Sequence, residues 1–251
     1  MTGAAGPSAA GEMPGAGRLY FRQLLSGRDF ARDDPVARQM VNFVYAVGDR
    51  ASGQALLVDP AYAVDDLLAV LEDDGMACVG VLATHYHPDH VGGEMAGWSI
   101  EGLAKLLDRV DVPVHVQRDE VPWVVRATGV TADHLSPHDS GEVVTAGDVG
   151  VELIHTPGHT PGSQCFLVDG CLISGDTLFL EGCGRTDLPG SDPAAMYESL
   201  TTRLARVPDD AVVFPGHQYS EAPSAPMGET RRVNYVFRPQ NAQQWLAAFG
   251  G

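Results

Sequence analysis

The chain has 251 residues, of which 44% are hydrophobic and 20% charged, a composition typical of globular proteins with a sizeable apolar core. Its 33 acidic residues outnumber 16 basic ones, and the formal net charge of −17 disfavours extended contact with the phosphate backbone of nucleic acids. No apolar run approaches the ~18 residues of a membrane span. The four cysteines lack C-x-x-C spacing, which favours a reduced, cytoplasmic protein over a disulfide framework.

The start of the chain differs in composition from the rest. Residues 1–17 are rich in Gly, Ala, Pro and Ser and lack the basic start and apolar segment of a signal peptide, so we predict a disordered tail. Residues 18–251 show no internal repeat and no second composition. They are therefore predicted to form a single domain.

Apolar runs and turn residues in residues 18–251 predict alternating strands and helices. Helical spacing of apolar residues predicts helices over 64–71, over 100–110 and from Asp192-Pro193 onward. Asp169-Gly170 predicts a two-residue hairpin. Short apolar or β-branched runs predict strands over 41–47, 55–58, 78–83, 112–116, 143–154 (broken at Gly147 and Gly150), 164–168, 171–174 and 211–214. This alternation predicts an α/β domain with two β-sheets and outer helices.

A histidine-rich segment directly follows the apolar strand predicted over 78–83. It reads His85-Tyr86-His87-Pro88-Asp89-His90. On extended backbone, His85 and His87 point the same way and can share one metal ion, whereas Asp89 and His90 point to a neighbouring position. Imidazole and carboxylate together suit zinc, manganese or iron. The spacing therefore predicts metal binding over isolated surface histidines.

Three later residues share one arrangement, in which an apolar strand and a tight turn precede a metal-ligand side chain. They are His159, Asp176 and His217. Ligands at the ends of successive strands converge on one cleft, where Asp176 can bridge two adjacent metal sites. The remaining histidines are interpreted as structural or surface residues, namely His115, His134, His138 and His155.

These motifs, with T-P-G-H-T-x-G-S at 156–163, G-D-T-L-F at 175–179 and P-G-H at 215–217, resemble the metallo-β-lactamase superfamily over about residues 19–240. The resemblance implies an αββα sandwich of two mixed β-sheets with outer helices and with metals at one sheet edge. It implies a ligand set for each of two metals. The first is His85, His87 and His159, the second is Asp89, His90 and His217, and Asp176 bridges the two.

The run from Gly175 to Asp187 looks like the glyoxalase II and persulfide dioxygenase branch. In that branch Arg185 would hold the carboxylate of a thiol cofactor, and Tyr219 would contact the thiol. Residues 20–24 and 229–234 look more like the dioxygenases, whereas Pro88 looks more like the hydrolases. Residues 218–251 are too few for the helical substrate domain of glyoxalase II proper, and residues 94–112 look like an insertion matching neither group.

The resemblance implies a hydrolase with two divalent metals, with zinc expected and iron or manganese as alternatives. Hydroxide held by the metals would attack the carbonyl of a thioester such as a hydroxyacyl-thiol, with Asp89 orienting it. The alternative is a persulfide dioxygenase with one iron on His85 (or His87), His159 and Asp176. The open ligand set and the acidic charge disfavour a structural metal module and a nuclease. The expected partner is a small-molecule thioester, with no nucleic acid or membrane, and a homodimer is compatible with the sequence.

Overall fold

The computed structural model describes residues 17–249, and residues 1–16 of the predicted tail lie outside the described part of the chain. The strands, in chain order, are β1 (Leu19–Leu25), β2 (Phe43–Asp49), β3 (Gln54–Val58), β4 (Ala77–Leu82), β5 (Gly93–Met95), β6 (Trp98–Ile100), β7 (Val114–Gln117), β8 (Leu135–His138), β9 (Val143–Ala146), β10 (Val149–His155), β11 (Gln164–Val168), β12 (Cys171–Gly175), β13 (Val212–Pro215) and β14 (Ala225–Pro226). The α-helices are α1 (Pro35–Met40), α2 (Val64–Asp73), α3 (Pro88–Val91), α4 (Leu103–Leu107), α5 (Val121–Thr128), α6 (Pro193–Glu198), α7 (Met227–Val233) and α8 (Ala242–Phe249).

Most strands belong to two six-stranded sheets, and both sheets are mixed. The first has the order β1-β2-β3-β4-β7-β8 and is parallel from β3 to β8. The second has the order β14-β13-β12-β11-β10-β9, with β12 and β13 parallel. The remaining strands, β5 and β6, form a separate antiparallel hairpin.

The two sheets pack face to face between layers of helices. Strand β2 is buried along its whole length, so its alternate side chains serve two cores. Phe43 and Tyr45 point between the sheets, where they join Phe166 of β11, whereas Val44 points outward into the core that Leu67 of α2 also fills. A third core lies outside the second sheet and is filled from α6, α7 and α8. The αββα sandwich implied by the resemblance is confirmed.

Local sequence signals explain the helix ends that were predicted correctly. The Asp192 carboxylate accepts hydrogen bonds from the backbone N–H groups of Ala194 and Ala195, and so caps α6. Asp169 and Gly170 adopt the positive φ values of 44° and 76° that a tight hairpin between β11 and β12 requires.

Two predictions about secondary structure are wrong. The helix predicted over 100–110 begins at Leu103, because Ile100 instead pairs with Gly93 in the β5–β6 hairpin. Ala96 and Gly97 turn that hairpin with φ values of 50° and 85°. Gly150 does not break the predicted strand over 143–154, because it pairs with Thr145 of β9 within the ladder; the break is the turn at Gly147 and Asp148.

Two further observations bear on the expected class of protein. The thiols of the four cysteines are all free, as their spacing predicted. Among residues 17–249, no helix is both long and apolar enough to cross a membrane.

Candidate metal centre

The predicted ligand side chains meet at one edge of the two sheets, because each follows the carboxyl end of a strand. The loop after β4 carries His85 and His87 and leads into α3, which carries Asp89 and His90. The second sheet supplies the other ligands from the ends of β10, β12 and β13, namely His159, Asp176 and His217. Strand order therefore brings together residues that are distant in the sequence.

The first set of ligands is His85, His87 and His159. Nδ1 of His87 lies 3.0 Å from Nε2 of His85 and 2.9 Å from Nε2 of His159. Nitrogens that bind one zinc ion tetrahedrally lie about 3.3 Å apart, given Zn–N bonds of about 2.0–2.1 Å. Burial lowers the pKa of His85 well below its ordinary value and that of His87 to about 4. These rings are therefore neutral at pH 7, the form that binds metals.

The second set of ligands is Asp89, His90 and His217, and all three side chains are buried. Nε2 of His217 lies 3.2 Å from Nε2 of His90 and 3.4 Å from Oδ2 of Asp89. Although burial lowers the pKa of His90, the carboxylates of Asp89 and Asp176 outweigh it and raise that pKa to about 10. A cation bound here would take the place of protons on this set.

Asp176 lies between the two sets. Its Oδ1 is 3.4 Å from Nε2 of His90, and its Oδ2 is 3.4 Å from Nε2 of His217 and 3.7 Å from Nε2 of His159. Oδ1 is buried and has no hydrogen-bond partner among the described residues. An unpaired carboxylate oxygen inside a protein is costly, and a metal ion would compensate it. The residues present therefore fit a pair of divalent metal ions.

In three of the rings, the nitrogen that faces away from the ligand set is held by a second contact, which fixes the ring orientation. Nδ1 of His159 lies 2.8 Å from the backbone oxygen of Arg185, and Nδ1 of His217 lies 2.8 Å from that of Met40. A neutral ring that donates from Nδ1 to a carbonyl oxygen leaves the lone pair of Nε2 free for a metal. Nδ1 of His90 likewise lies 2.9 Å from Oδ2 of Asp59.

Three buried polar residues that support the ligands did not emerge from the sequence. Asp59 directly follows β3, and its carboxylate contacts both His90 and Thr84. Asn42 donates from Nδ2 to Oδ2 of Asp89 at 3.1 Å. Glu120 lies beneath the loops that carry the first set. Neither Asn42 nor Glu120 belongs to a motif, so only the fold identifies them.

The histidines interpreted as structural lie outside the metal centre. His134 is exposed, and His155 contacts the backbone oxygen of Pro161 through Nε2 at 2.9 Å. His115 and His138 contact each other at 2.9 Å on the neighbouring strands β7 and β8. The structure thus separates these residues from the predicted ligands.

A cavity of about 690 Å³ opens beside the ligands. The two predicted substrate residues both line it. The ring of Tyr219 stacks on that of His217, with centroids 4.7 Å apart. The guanidinium of Arg185 donates from Nε and Nη2 to the carboxylate of Asp187, at 2.8 Å each. The rest of the wall is mainly apolar or aromatic and includes Met40, Tyr86, Met95, Phe179, Leu188 and Tyr235.

The chain is similar in sequence to known proteins. Residues 38–217 match the family model of the metallo-β-lactamase superfamily. The chain is 28% identical over 206 residues to a probable polyketide biosynthesis zinc-dependent hydrolase of Bacillus velezensis, covering 82% of this chain and 85% of the relative. It is 37% identical over 186 residues to the hydroxyacylglutathione hydrolase of Xanthomonas axonopodis pv. citri, covering 73% of this chain but 64% of that enzyme.

Solved structures show the same architecture. The crystal structure of ETHE1 from Myxococcus xanthus superposes with a TM-score of 0.74 at 26% identity, covering 92% of this chain and 90% of that one. The crystal structure of TTHA1623 in a di-iron-bound form superposes with a TM-score of 0.63 at 29% identity, covering 78% of this chain and 96% of that one. The chain therefore belongs to the metallo-β-lactamase superfamily of metal-dependent hydrolases, in its glyoxalase II and persulfide dioxygenase-like branch.

Proposed function

We propose that the protein is a thioester hydrolase that acts with two divalent metal ions, zinc being the expected metal. The observation that carries the proposal is the position of Asp176 between the two predicted ligand sets, with one carboxylate oxygen buried and without a hydrogen-bond partner among the described residues. The similarity to relatives named as hydroxyacylglutathione hydrolase and as zinc-dependent hydrolase supports it. The free thiols support a cytoplasmic location.

Metals in this centre would lower the pKa of a water molecule towards ~7 and polarise the substrate carbonyl. The chain positions the reacting groups. Asp89 lines the cavity and is held by Asn42, so its carboxylate can orient the attacking water. A thiolate leaves readily because the pKa of an ordinary thiol is about 8.5, so the reaction needs no general acid from the protein. Because water would be the attacking group, no side chain is needed as the nucleophile.

The outer cavity is proposed to hold the leaving thiol. Tyr219 is anchored by stacking on a metal ligand and presents an exposed ring to the cavity. Arg185 stands on the same cavity and is proposed to contact polar groups of the thiol. The apolar wall between them reduces access of bulk water to the metal centre, which strengthens electrostatic interactions there.

A second candidate function is a persulfide dioxygenase with one iron. The superposition on ETHE1 over 92% of the chain favours it. One iron would use His85 or His87, His159 and Asp176, and would leave Asp89, His90 and His217 without a metal. The tight clustering of these three buried side chains favours the hydrolase instead.

Metal analysis of one preparation, together with assays of thioester hydrolysis and of oxygen uptake, distinguishes these functions. We expect about two metals per chain, as zinc or a zinc–iron mixture, and hydrolysis of acyl thioesters. Asp176→Ala, which removes the shared ligand, is the inactive control. A preparation with one iron and no zinc, together with oxygen uptake on glutathione persulfide, would contradict the hydrolase proposal.

A further inference from the structure

The charges that line the cavity outside the metal ligands are few. Among the described lining residues they are Glu181 and Arg185, which are both exposed. The guanidinium of Arg185 is already paired with Asp187 through two hydrogen bonds. With Asp187 included, this outer part of the cavity carries one more negative than positive charge.

Among residues 17–249, no Arg or Lys other than Arg185 lines the cavity. Lys105, the only lysine of the chain, binds Glu101 at 3.0 Å and Asp65 at 3.3 Å and does not line the cavity. Arg126, near the cavity residue Tyr86, lies with its guanidinium 4.7 Å from the ring centroid of Trp123, on which Tyr86 stacks. The net charge of −17 also repels anionic ligands at long range.

We propose that the thiol carried by the substrate is uncharged, an amide-linked thiol such as pantetheine or N-acetylcysteamine, and that the carboxylate-bearing thiol glutathione is a poor carrier. The inference rests on the proposed thioester hydrolysis. A glutathione carboxylate at this wall would meet the negative charges of Glu181 and of Asp187, which already neutralises the guanidinium of Arg185. An uncharged carrier meets aromatic and methionine side chains, and its amide groups can accept hydrogen bonds from the guanidinium.

The size of the effect follows from solvent exposure. The side chains of Arg185 and Asp187 are 67% and 60% exposed, so water and salt screen their charges. Each exposed charge therefore changes the affinity by only about three- to five-fold. Repulsion of a carboxylate by Glu181 and by Asp187 together corresponds to a preference of about ten-fold or more for the uncharged thiol, and this preference should weaken in high salt.

The test compares one acyl group on two thiols with the zinc-loaded protein. We expect kcat/KM for the N-acetylcysteamine thioester to exceed that for the glutathione thioester by about ten-fold. Binding of the matching non-hydrolysable thioethers, measured by calorimetry, should show the same order. Equal or tighter binding of the glutathione thioether overturns the inference. If neither thioester is hydrolysed, the proposed function fails, and the calorimetry still decides the carrier preference.

Two variants test whether these charges make the selection. Glu181→Gln removes a carboxylate from the wall, and Asp187→Asn releases Arg185. Each variant should lower the ratio of the affinity for the N-acetylcysteamine thioether to that for the glutathione thioether by about three- to five-fold, as expected for one exposed charge. Glu72→Gln changes an exposed carboxylate that does not line the cavity and should leave the ratio unchanged. A ratio that stays unchanged in both cavity variants overturns the proposal.

Discussion

The carboxylate of Glu120 accepts a hydrogen bond at 2.7 Å from the backbone N–H of Tyr86, the residue between the ligands His85 and His87. It also accepts hydrogen bonds at 2.7 Å from the Thr160 hydroxyl and the Gly162 N–H, which belong to the loop of His159. One buried side chain therefore ties together the two loops that carry the first ligand set.

Glu120→Ala should loosen the first metal site selectively, because both loops lose their common hydrogen-bond acceptor. Loss of a residue that orients ligands typically reduces metal affinity about 10- to 100-fold. Titration with a chelator measures the metal affinity of both sites, and only one of the two affinities should fall. The exposed Glu72→Ala serves as the matched control. If Glu120→Ala retained both affinities, the loops would be held without it.

Glu120 should also make stability depend on pH. Burial raises its pKa from 4.5 to about 7. The unfolded chain then releases this proton near pH 4.5 and the folded protein only near pH 7, so the stability it contributes below pH 4.5 is lost as pH rises through that window. Between pH 5 and 7.5 the unfolding free energy of the metal-free protein should fall by about 2–3 kcal/mol relative to Glu120→Gln. If the unfolding free energies of the wild type and of Glu120→Gln changed with pH in parallel, this prediction would be wrong.

Asp59→Asn should weaken the second metal site. Oδ1 of Asp59 accepts a hydrogen bond from the backbone N–H of Thr84 at 2.7 Å, and Oδ2 accepts one from its hydroxyl at 2.6 Å while also contacting His90. An amide replaces one of these acceptors with a donor, so His90 loses its fixed orientation or Thr84 is displaced. We expect one metal to bind about 10- to 100-fold more weakly. Unchanged affinity of both metal sites in a chelator titration would show that His90 is held by other contacts.

The clustering of the candidate metal ligands could be predicted because a local sequence pattern marks each of them. His159, Asp176 and His217 each follow an apolar strand and a tight turn, and the strand ends bring them to one edge. Asn42 and Glu120 are different, because they reach the centre through contacts that are 47 and 34 residues distant in the sequence. No local pattern marks such residues.

The start of the helix predicted over 100–110 was wrong because it, too, depends on a contact that no local pattern marks. Ile100 fits both the helical spacing of the following residues and a strand, and only its pairing with Gly93 decides between them. A short apolar segment does not distinguish the two structures by periodicity alone. The pairing of Arg185 with Asp187, two residues apart, was also not evident from the sequence, although it determines which groups the guanidinium can bind.

Asp176→Ala should abolish hydrolysis and reduce the binding of both metals, because this carboxylate lies within 3.7 Å of ligand atoms from both sets. Elemental analysis after dialysis gives the metal content. His134→Ala changes an exposed histidine outside the centre and should keep both metal content and rate. Loss of metal in His134→Ala would show that the loop before β8 contributes to the site.

Gly216→Ala should disturb the metal centre without unfolding the protein. A Cβ atom at position 216 would lie 2.4 Å from Oδ1 of Asp176, and 3.0 Å from both Cε1 of His90 and the backbone carbonyl carbon of Gly175. The shortest of these contacts is with the Asp176 side chain, so we expect Asp176 to move away from its position between the two sets while the sheets keep their structure. We expect metal affinity to fall about ten-fold or more, because displacing a ligand should cost as much as losing a residue that orients it. The circular dichroism spectrum of the variant should resemble that of the wild type. Gly150→Ala is the matched control, because its Cβ would meet only the side chain of Val143, 3.1 Å away on the protein surface. Wild-type metal affinity in Gly216→Ala would mean that Asp176 has room to shift and still hold both metals.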